Sequence, residues 1–386
     1  APVLHPDRPT GNLLKHIKVR HGDIAKGFAE ADVVIEETFK TATVHQGYIE
    51  PHACVAKAEA DGQIEIWSSS QGHFAMRALT AQILGSRLGD IRVTPAEISG
   101  GVGGKTVTYL EPVAATLSKK SGGLPVRLQM TREEVFRASG PTSSASMTVK
   151  IGVKRDGRIT GAFADIRMQG GAFAGAPTSL GAMSAFACYD LEHVKAIGWD
   201  VVTNRPKQAA YRAPGAPMVA FAVESVLDEL AQKIGMDPIE LRLKNAAKEG
   251  TQSSYGPKFN RIGLTACLEA ARKHPHYSAK LGPNQGRGIA AGFWFNFGGQ
   301  TCVSLNIGVD GTVALAVGTP DIGGSRASMC LIAAEELGIP YDKVRAIVAD
   351  TSSLGHNDIS EGSRVTFSTG LATIQAARDA IGKLCA

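Results

Sequence analysis

An α+β fold, with mixed sheets and packed helices, is predicted for this 386-residue chain. Three observations predict it. Short runs of alternating apolar and polar residues, bounded by turn residues, recur along the sequence. Longer runs carry apolar residues at helical spacing and begin or end on capping residues. Beyond residue 286 these runs follow a βββαβα order, the order of an α+β unit cut short. Hydrophobic residues make up 44% of the chain, enough for at least one large core, and length alone predicts two or three domains.

Taken in order, residues 1–30 are polar and rich in Pro and Gly, and read as an extended lead-in. Strands are predicted at 33–39, 54–58 and 64–68, the last two joined by a turn at Asp61-Gly62. Residues 73–85 have helical spacing at Phe74, Leu79 and Ile83 and close on Gly85 as a C-cap. A strand at 91–93, a glycine-rich turn at 100–104 and a helix at 112–120 follow. The runs 125–130, 145–153 and 158–168 read as a meander of strands. The clearest helix is 218–234, with Val219, Val223, Val226, Leu227, Leu230 and Ile234 on one face. The next opens on Asp237-Pro238-Ile239-Glu240, an N-cap, a first-turn proline and the glutamate of a capping box. Residues 275–286 read as a linker. Beyond it come strands at 287–294, 301–308 and 312–317, a helix at 326–338, a strand at 344–349 and a helix at 369–384. Two domains are therefore predicted, 1–280 and 281–386, the second incomplete.

Four turns carry the candidate chemistry. Ser99-Gly100-Gly101-Val102-Gly103-Gly104-Lys105 strips side chains from a turn, so its amides can approach an anion or an oxo group. The spacing fits neither standard phosphate-loop pattern, and taken alone the run reads first as a plain tight turn between strand and helix. Tyr211-Arg212-Ala213-Pro214-Gly215 places a cation ahead of a strong helix, either as an anion site or as an ordinary helix lead-in. Asp321-Ile322-Gly323-Gly324-Ser325-Arg326 and Glu361-Gly362-Ser363-Arg364 sit in the same way before later helices. Several such turns suit a long ligand with more than one anionic group. Phe293, Trp294, Phe295 and Phe297 form a dense aromatic patch, either core or a wall for a flat substrate.

Other classes find little footing. Net charge is +5, and basic residues run no longer than pairs such as Lys119-Lys120, so nucleic-acid and membrane-surface binding are unsupported. The six cysteines are scattered without a CxxC pair and read as buried reduced thiols. His45, His52, His73 and His356 lack metal-type spacing, and no serine nucleophile elbow is present. No signal peptide and no run of about twenty apolar residues is legible, so no membrane span is expected. The chain opens on Ala1-Pro2-Val3 and closes on Cys385-Ala386, and a processed or fragmentary polypeptide is expected. A cytoplasmic location is expected. A periplasmic one stays open, because a leader could lie on another piece.

In their order along the chain, Glu50-Pro51-His52, the Gln71 segment, GGVGGK, AYRAPG with the 218–245 block, DIGGSR and EGSRVT resemble the molybdenum hydroxylase family. That family includes xanthine dehydrogenase, aldehyde oxidoreductases and N-heterocycle hydroxylases. The resemblance covers nearly the whole chain, and the 212–245 block is its most specific part. It implies molybdenum-binding domains of the xanthine-dehydrogenase type and a molybdopterin, in bacteria usually the cytosine dinucleotide form, with no protein ligand to the metal.

By the same resemblance, Gln71 matches the glutamine that hydrogen-bonds an apical molybdenum oxygen. Gly100, Gly101, Val102, Gly103 and Gly104 match the loop beside the metal. Arg212 matches an arginine near metal and substrate, with Ala213 on the cofactor side and Pro214 on the substrate side. Gly323, Gly324, Ser325, Arg326 and Ser363 match turns that cradle pterin and pyrophosphate, and Phe297 a substrate-stacking phenylalanine.

Departures bear on the reaction. Phe often stands where Val102 does, and Gln where Gly324 does. Xanthine dehydrogenases carry Glu where Thr106 stands, which argues against xanthine. Carbon monoxide dehydrogenases carry Cys shortly after the arginine, where Ala213-Pro214 stand here, which argues against that reaction. The implied function is hydroxylation of an aldehyde or N-heteroaromatic C–H bond with water-derived oxygen. Reductive dehydroxylation of an aromatic thioester and a non-catalytic cofactor scaffold are the alternatives. The family's glutamate base and N-terminal domain would lie on remaining pieces of the large subunit. [2Fe-2S] and FAD subunits, or a cytochrome acceptor, would take the electrons.

Overall fold

The computed structural model describes residues 11–386. The chain forms twelve strands: β1 Leu13–His21, β2 Val33–Thr41, β3 Ala53–Ala58, β4 Ile64–Ser68, β5 Ile91–Pro95, β6 Val126–Gln129, β7 Ala145–Val153, β8 Ile159–Gly171, β9 Val194–Val202, β10 Val303–Ile307, β11 Val313–Val317 and β12 Val344–Val348. They make three mixed sheets with packed helices, as the α+β reading requires. Two compact units result, each assembled from separated stretches of chain.

Of the described residues, the first unit comprises 11–44, 141–208 and 213–294. Its sheet has the order β1-β9-β8-β7-β2, with β8 and β9 parallel and the other pairs antiparallel. The helix Ala216–Ile234 lies against it, because Val219, Val223, Val226, Leu227 and Leu230 form one apolar stripe and are fully buried. Each such side chain contributes about 1.5–3 kcal/mol on leaving water. Gly235, at φ +68°, ends the helix in the left-handed conformation that favours glycine. The helix Pro238–Asn245 starts where Asp237 accepts from the Ile239 and Glu240 amides, at 2.8 and 3.1 Å.

The second unit comprises residues 45–140, 209–212 and 295–386. One sheet has the order β5-β4-β3-β6, with helices His73–Leu84 and Glu111–Lys120 closing its core. The other has the order β10-β11-β12, packed by helices Ser325–Leu337 and Gly370–Leu384. Each sheet contains one parallel pair, β4–β5 and β11–β12.

Several expectations are corrected. Within the expected lead-in, residues 13–21 form β1 and Ile24–Ala29 form a helix capped by Asp23; residues 1–10 lie outside the described residues. The supposed meander is divided: β6 joins the second unit's sheet, and the helix Arg132–Ala138, with a Thr131/Glu134 capping box, follows it. Residues 287–294 form no strand, so the last region reads ββαβα. The linker expected from 275 opens on the short helix Pro275–Ser278. The strand β9 and the helices Thr178–Ser184 and Leu264–Lys273 were not expected. Cys54, Cys188 and Cys330 are buried thiols, but Cys267 and Cys385 are exposed and Cys302 is half-buried. Among the described residues, no helix is long and apolar enough to cross a membrane.

Candidate functional site

The two parallel pairs organise the second unit's site. Loops leaving the carboxyl ends of parallel strands open onto the same edge of a sheet, and ligands of α/β-type sheets bind there. Gln71 follows β4, and the glycine turn 100–104 follows β5. The turn 318–326 follows β11, and the segment 349–364 follows β12.

Gln71 ties three of these pieces together. Its Oε1 accepts from the Gly103 and Lys105 amides at 2.8 and 3.1 Å, and its Nε2 donates to the Ser360 carbonyl at 2.8 Å. Its backbone exchanges two further bonds, with the Lys105 carbonyl and the Ser360 amide. One amide hydrogen of Nε2 remains to donate. The glycines are required by contact. A Cβ at Gly101 would lie 2.5 Å from Gln71 Oε1, and one at Gly103 would lie 2.4 Å from the Ala210 carbonyl oxygen. The Arg212 amide donates to the Val102 carbonyl at 2.9 Å, which brings the cation-bearing turn onto the glycine turn. The Arg212 side chain is exposed and makes no ion pair among the described residues.

Backbone strain marks the same places. Among the described residues, five that are not glycine have positive φ, and four of them are Val102 (43°), Arg212 (35°), Ala213 (57°) and Ser363 (61°). Such conformations cost about 1–3 kcal/mol each and persist where surrounding structure enforces them, most often at ligand sites. Ala213 and Pro214 belong to the first unit, so the second unit's cluster is Gln71, 100–104, 210–212 and 360–364.

The other two turns differ from the expected anion cradles. At Gly323-Gly324-Ser325-Arg326 a carboxylate of the chain itself is already in place. Asp321 accepts from the Gly324 amide (2.7 Å), the Ser325 amide (2.8 Å) and Arg326 Nε (2.8 Å). Gly323 and Gly324 still present bare backbone, with nothing within 4 Å of a Cβ on either. At the last turn Arg364 is buried and donates to the carbonyls of Gly298, Asp358 and Gln300, at 3.0, 2.9 and 2.7 Å. This anchors the segment carrying Phe297, whose amide donates to the Gly362 carbonyl and whose ring stacks on Phe295. The aromatic patch is thus shared: Phe293 packs with Tyr255 and Phe259 in the first unit, while Phe295 and Phe297 belong to the second.

Sequence reasoning missed the groups beneath the glycine turn. The Lys105 side chain is fully buried, with its ammonium 3.1 Å from Glu50 and 3.1 Å from Ser69 Oγ, over the Tyr48 ring. Burial pushes this ammonium down, against the pull of Glu50. Glu50 also accepts from the Ser99 amide at 2.6 Å and so holds the start of the turn. Tyr48 and His52 share a 2.6 Å hydrogen bond, and His52 is pushed down to about 4 by burial and then by Lys105, which keeps it neutral at pH 7. A lysine closing a glycine run was the available signal, but its partners are distant in sequence.

Two carboxylates make acid stability a test of these tethers. Burial raises Asp321 and Asp350, but hydrogen bonds from Arg326 and Arg92 and from local amides outweigh it and leave both at about 2. Their folded values lie below the ordinary 3.8, so the stability they add is present above pH 4 and lost as pH falls towards 2. Each should contribute about 2 kcal/mol. Asp321→Asn with Asp350→Asn should flatten the unfolding free energy between pH 4 and 2. An unchanged slope would refute the assignment.

A bound molybdopterin requires backbone that a ligand can approach and polar groups left to receive it. The residues fit: beside Gln71, the buried hydroxyls of Ser70 and Ser360 have no protein partner, and the Gln46 Oε1 accepts from none.

Comparison with known proteins agrees. Two profiles of the molybdopterin cofactor-binding domain match residues 4–246 and 227–386. The chain is 31% identical over 355 residues to the xanthine dehydrogenase molybdenum-binding subunit of Escherichia coli O157:H7, covering 87% of this chain and 47% of that protein. It is 28% identical over 277 residues to the nicotinate dehydrogenase large molybdopterin subunit of Eubacterium barkeri, covering 71% and 64%. The aldehyde oxidoreductase structure from Desulfovibrio gigas superposes with a TM-score of 0.86 at 26% identity, over 97% of this chain and 43% of that one. The chain spans about half the length of most of these relatives. It belongs to the molybdopterin cofactor-binding domain family, as found in the molybdenum-binding large subunits of the xanthine dehydrogenase and aldehyde oxidoreductase type.

Proposed function

We propose that this chain supplies the cofactor-facing part of a molybdenum hydroxylase that oxidises an aldehyde or N-heteroaromatic C–H bond with water-derived oxygen. One observation carries it: within the second unit, Gln71 binds the glycine turn and the 360 segment together, and Val102, Arg212 and Ser363 keep left-handed backbone there. When bound, the molybdenum cofactor supplies the two-electron oxidation.

The protein's part is positioning and charge. Gln71 fixes the turn 100–104 and keeps one N–H for the ligand. Arg212, whose backbone is tied to the glycine turn, offers an unmatched cation to an anionic or carbonyl-bearing group. Phe297 is the proposed wall for a flat substrate, held by the segment that Arg364 anchors. The Thr106 hydroxyl donates to the Gly103 carbonyl at 3.1 Å, so this position presents no carboxylate to a purine. Gly323, Gly324, Ser325, Arg326 and Ser363 are proposed to border the pterin and its pyrophosphate, the open faces of the two glycines being the contact. Ala213 and Pro214, next in the chain after Arg212, are proposed on the family resemblance as a cofactor and a substrate contact.

The cytosine dinucleotide form, [2Fe-2S] and FAD partner chains, a base on another piece of the subunit, and the division at 280/281 belong to the same reading. The two profile matches, 4–246 and 227–386, also run in linear order, but they meet at 227–246.

Metal and nucleotide analysis of the purified assembly tests it. About one molybdenum and one cytosine nucleotide per copy are expected, with dye reduction by an aldehyde or N-heteroaromatic compound. A complete assembly without molybdenum overturns it. Arg212→Ala and Arg212→Gly should both lower turnover or molybdenum retention, whereas the glycine variant, relaxed at φ 35°, should be about 1 kcal/mol more stable than the alanine one. Unchanged turnover and molybdenum in both would remove Arg212 from the site.

A further inference from the structure

The outer face of the first unit's sheet takes no part in the site above. Register decides which residues share it, because directly paired residues point to the same side. Arg20 lies opposite Lys195, Lys195 opposite Phe163, and Phe163 opposite Lys150. Two residues along, Lys18 lies opposite Ile197, and two further on His16 lies opposite Trp199. The alternate residues of these strands, such as Ala164, Ile166, Met147 and Val149, are buried in the core.

This face is strongly cationic. It carries Lys18, Arg20, Lys40, Lys150, Arg167 and Lys195 against Glu36 and Asp165. Both acids are already matched, Asp165 by Arg167 at 3.0 Å and Glu36 by Lys150 at 2.9 Å. Lys18, Arg20, Lys40 and Lys195 therefore form an excess of four positive charges, without an ion-pair partner among the described residues. The chain as a whole carries only +5, so much of its excess is concentrated here.

The aromatic groups decide between partners. Trp199 is half-buried, stacks on His16 at 4.3 Å and donates its indole N–H to Asp165 at 3.2 Å. Phe163 is covered by the Lys195 ammonium at 5.7 Å. Each ring has one face already engaged, and among the described residues this sheet face carries no row of aromatics of the kind on which single-strand binders stack successive bases. A broad sheet face with ordered aromatics, arginines and unmatched positive charge instead fits a protein surface of opposite sign. We infer that this face docks a carboxylate-rich surface of a partner protein.

The test uses the assembly as purified and a zero-length carbodiimide, which joins a lysine amine to a carboxylate. Lys18 and Lys195 should be joined to Asp or Glu of a different polypeptide. Lys18→Glu with Arg20→Glu and Lys195→Glu should weaken that association at least tenfold at low salt. Lys119→Glu with Lys120→Glu, the same kind of reversal at a helix end of the second unit, should leave it unchanged. If the triple variant does not fold, Lys18→Gln with Lys195→Gln should show the same direction and a reduced salt dependence. Four results overturn the inference: links only within the chain or to a second copy, equal effects of the control reversal, loss of oligonucleotide binding alone, or a chain that purifies with no other polypeptide. Molybdenum content measured on the same samples reports separately on the proposed function.

Discussion

Gly103→Ala should cut molybdenum content per chain to a tenth or less of the unsubstituted protein's, with turnover falling in step. The new Cβ would lie 2.4 Å from the Ala210 carbonyl oxygen, which is backbone and cannot swing aside. The residue also sits at φ +104°, where alanine is strained by about 1–3 kcal/mol. A tenfold loss corresponds to about 1.4 kcal/mol, so either effect alone is nearly sufficient. The displacement would pass directly to Arg212, whose amide hangs on the Val102 carbonyl, and to Gln71, whose Oε1 accepts the Gly103 amide. Gly62→Ala separates strain from site geometry. Gly62 has φ +93° in the turn between β3 and β4 with nothing within 4 Å of a Cβ. It should lower stability by about 1 kcal/mol and leave molybdenum untouched. Equal molybdenum in all three proteins would dismiss the turn as a cofactor contact.

Arg242→Met should be the most damaging single change to stability, at about 3–5 kcal/mol. Arg242 is fully buried; its Nε donates to Glu224 at 2.8 Å, and its Nη1 reaches Asp228 at 2.8 Å. Glu224 also accepts from the Tyr189 hydroxyl and the Ala291 amide. Removing the guanidinium strands a buried carboxylate among these donors, and an unmatched buried charge costs far more than the matched pair contributes. The thermal midpoint of the first unit should fall by roughly 10 °C. Arg242→Met with Glu224→Gln should recover part of the loss, since the carboxylate left unmatched is then Asp228, whose side chain is 43% exposed, and not a buried one. A fall of under about 1 kcal/mol for the single variant would show that water reaches Glu224.

Local features were readable because they depend on neighbours in sequence. The helix Ala216–Ile234 follows from its apolar stripe, Asp237 and Gly85 cap as their types predict, and the glycine turn is a turn. The strand β1 was hidden because one of its faces carries His16, Lys18 and Arg20, so its residues resemble a polar lead-in until the partner strand β9 is known. The sheet membership of β6 was equally illegible, since it is set by pairing with β3 rather than by its own sequence.

The candidate residues were named from the sequence, through a family resemblance, but the contacts they make in the fold were not. That Asp321 fills the turn before Ser325, that Arg364 binds three carbonyls, and that Lys105 and Glu50 pin the glycine turn are all contacts between segments far apart in the chain. Composition and periodicity by themselves determined helices, caps and turns, because backbone preference and amphipathic spacing act over a few residues. Only the tertiary structure decided strand partners, buried ion pairs and which turns share an edge, because those energies depend on burial and on groups that folding alone brings together.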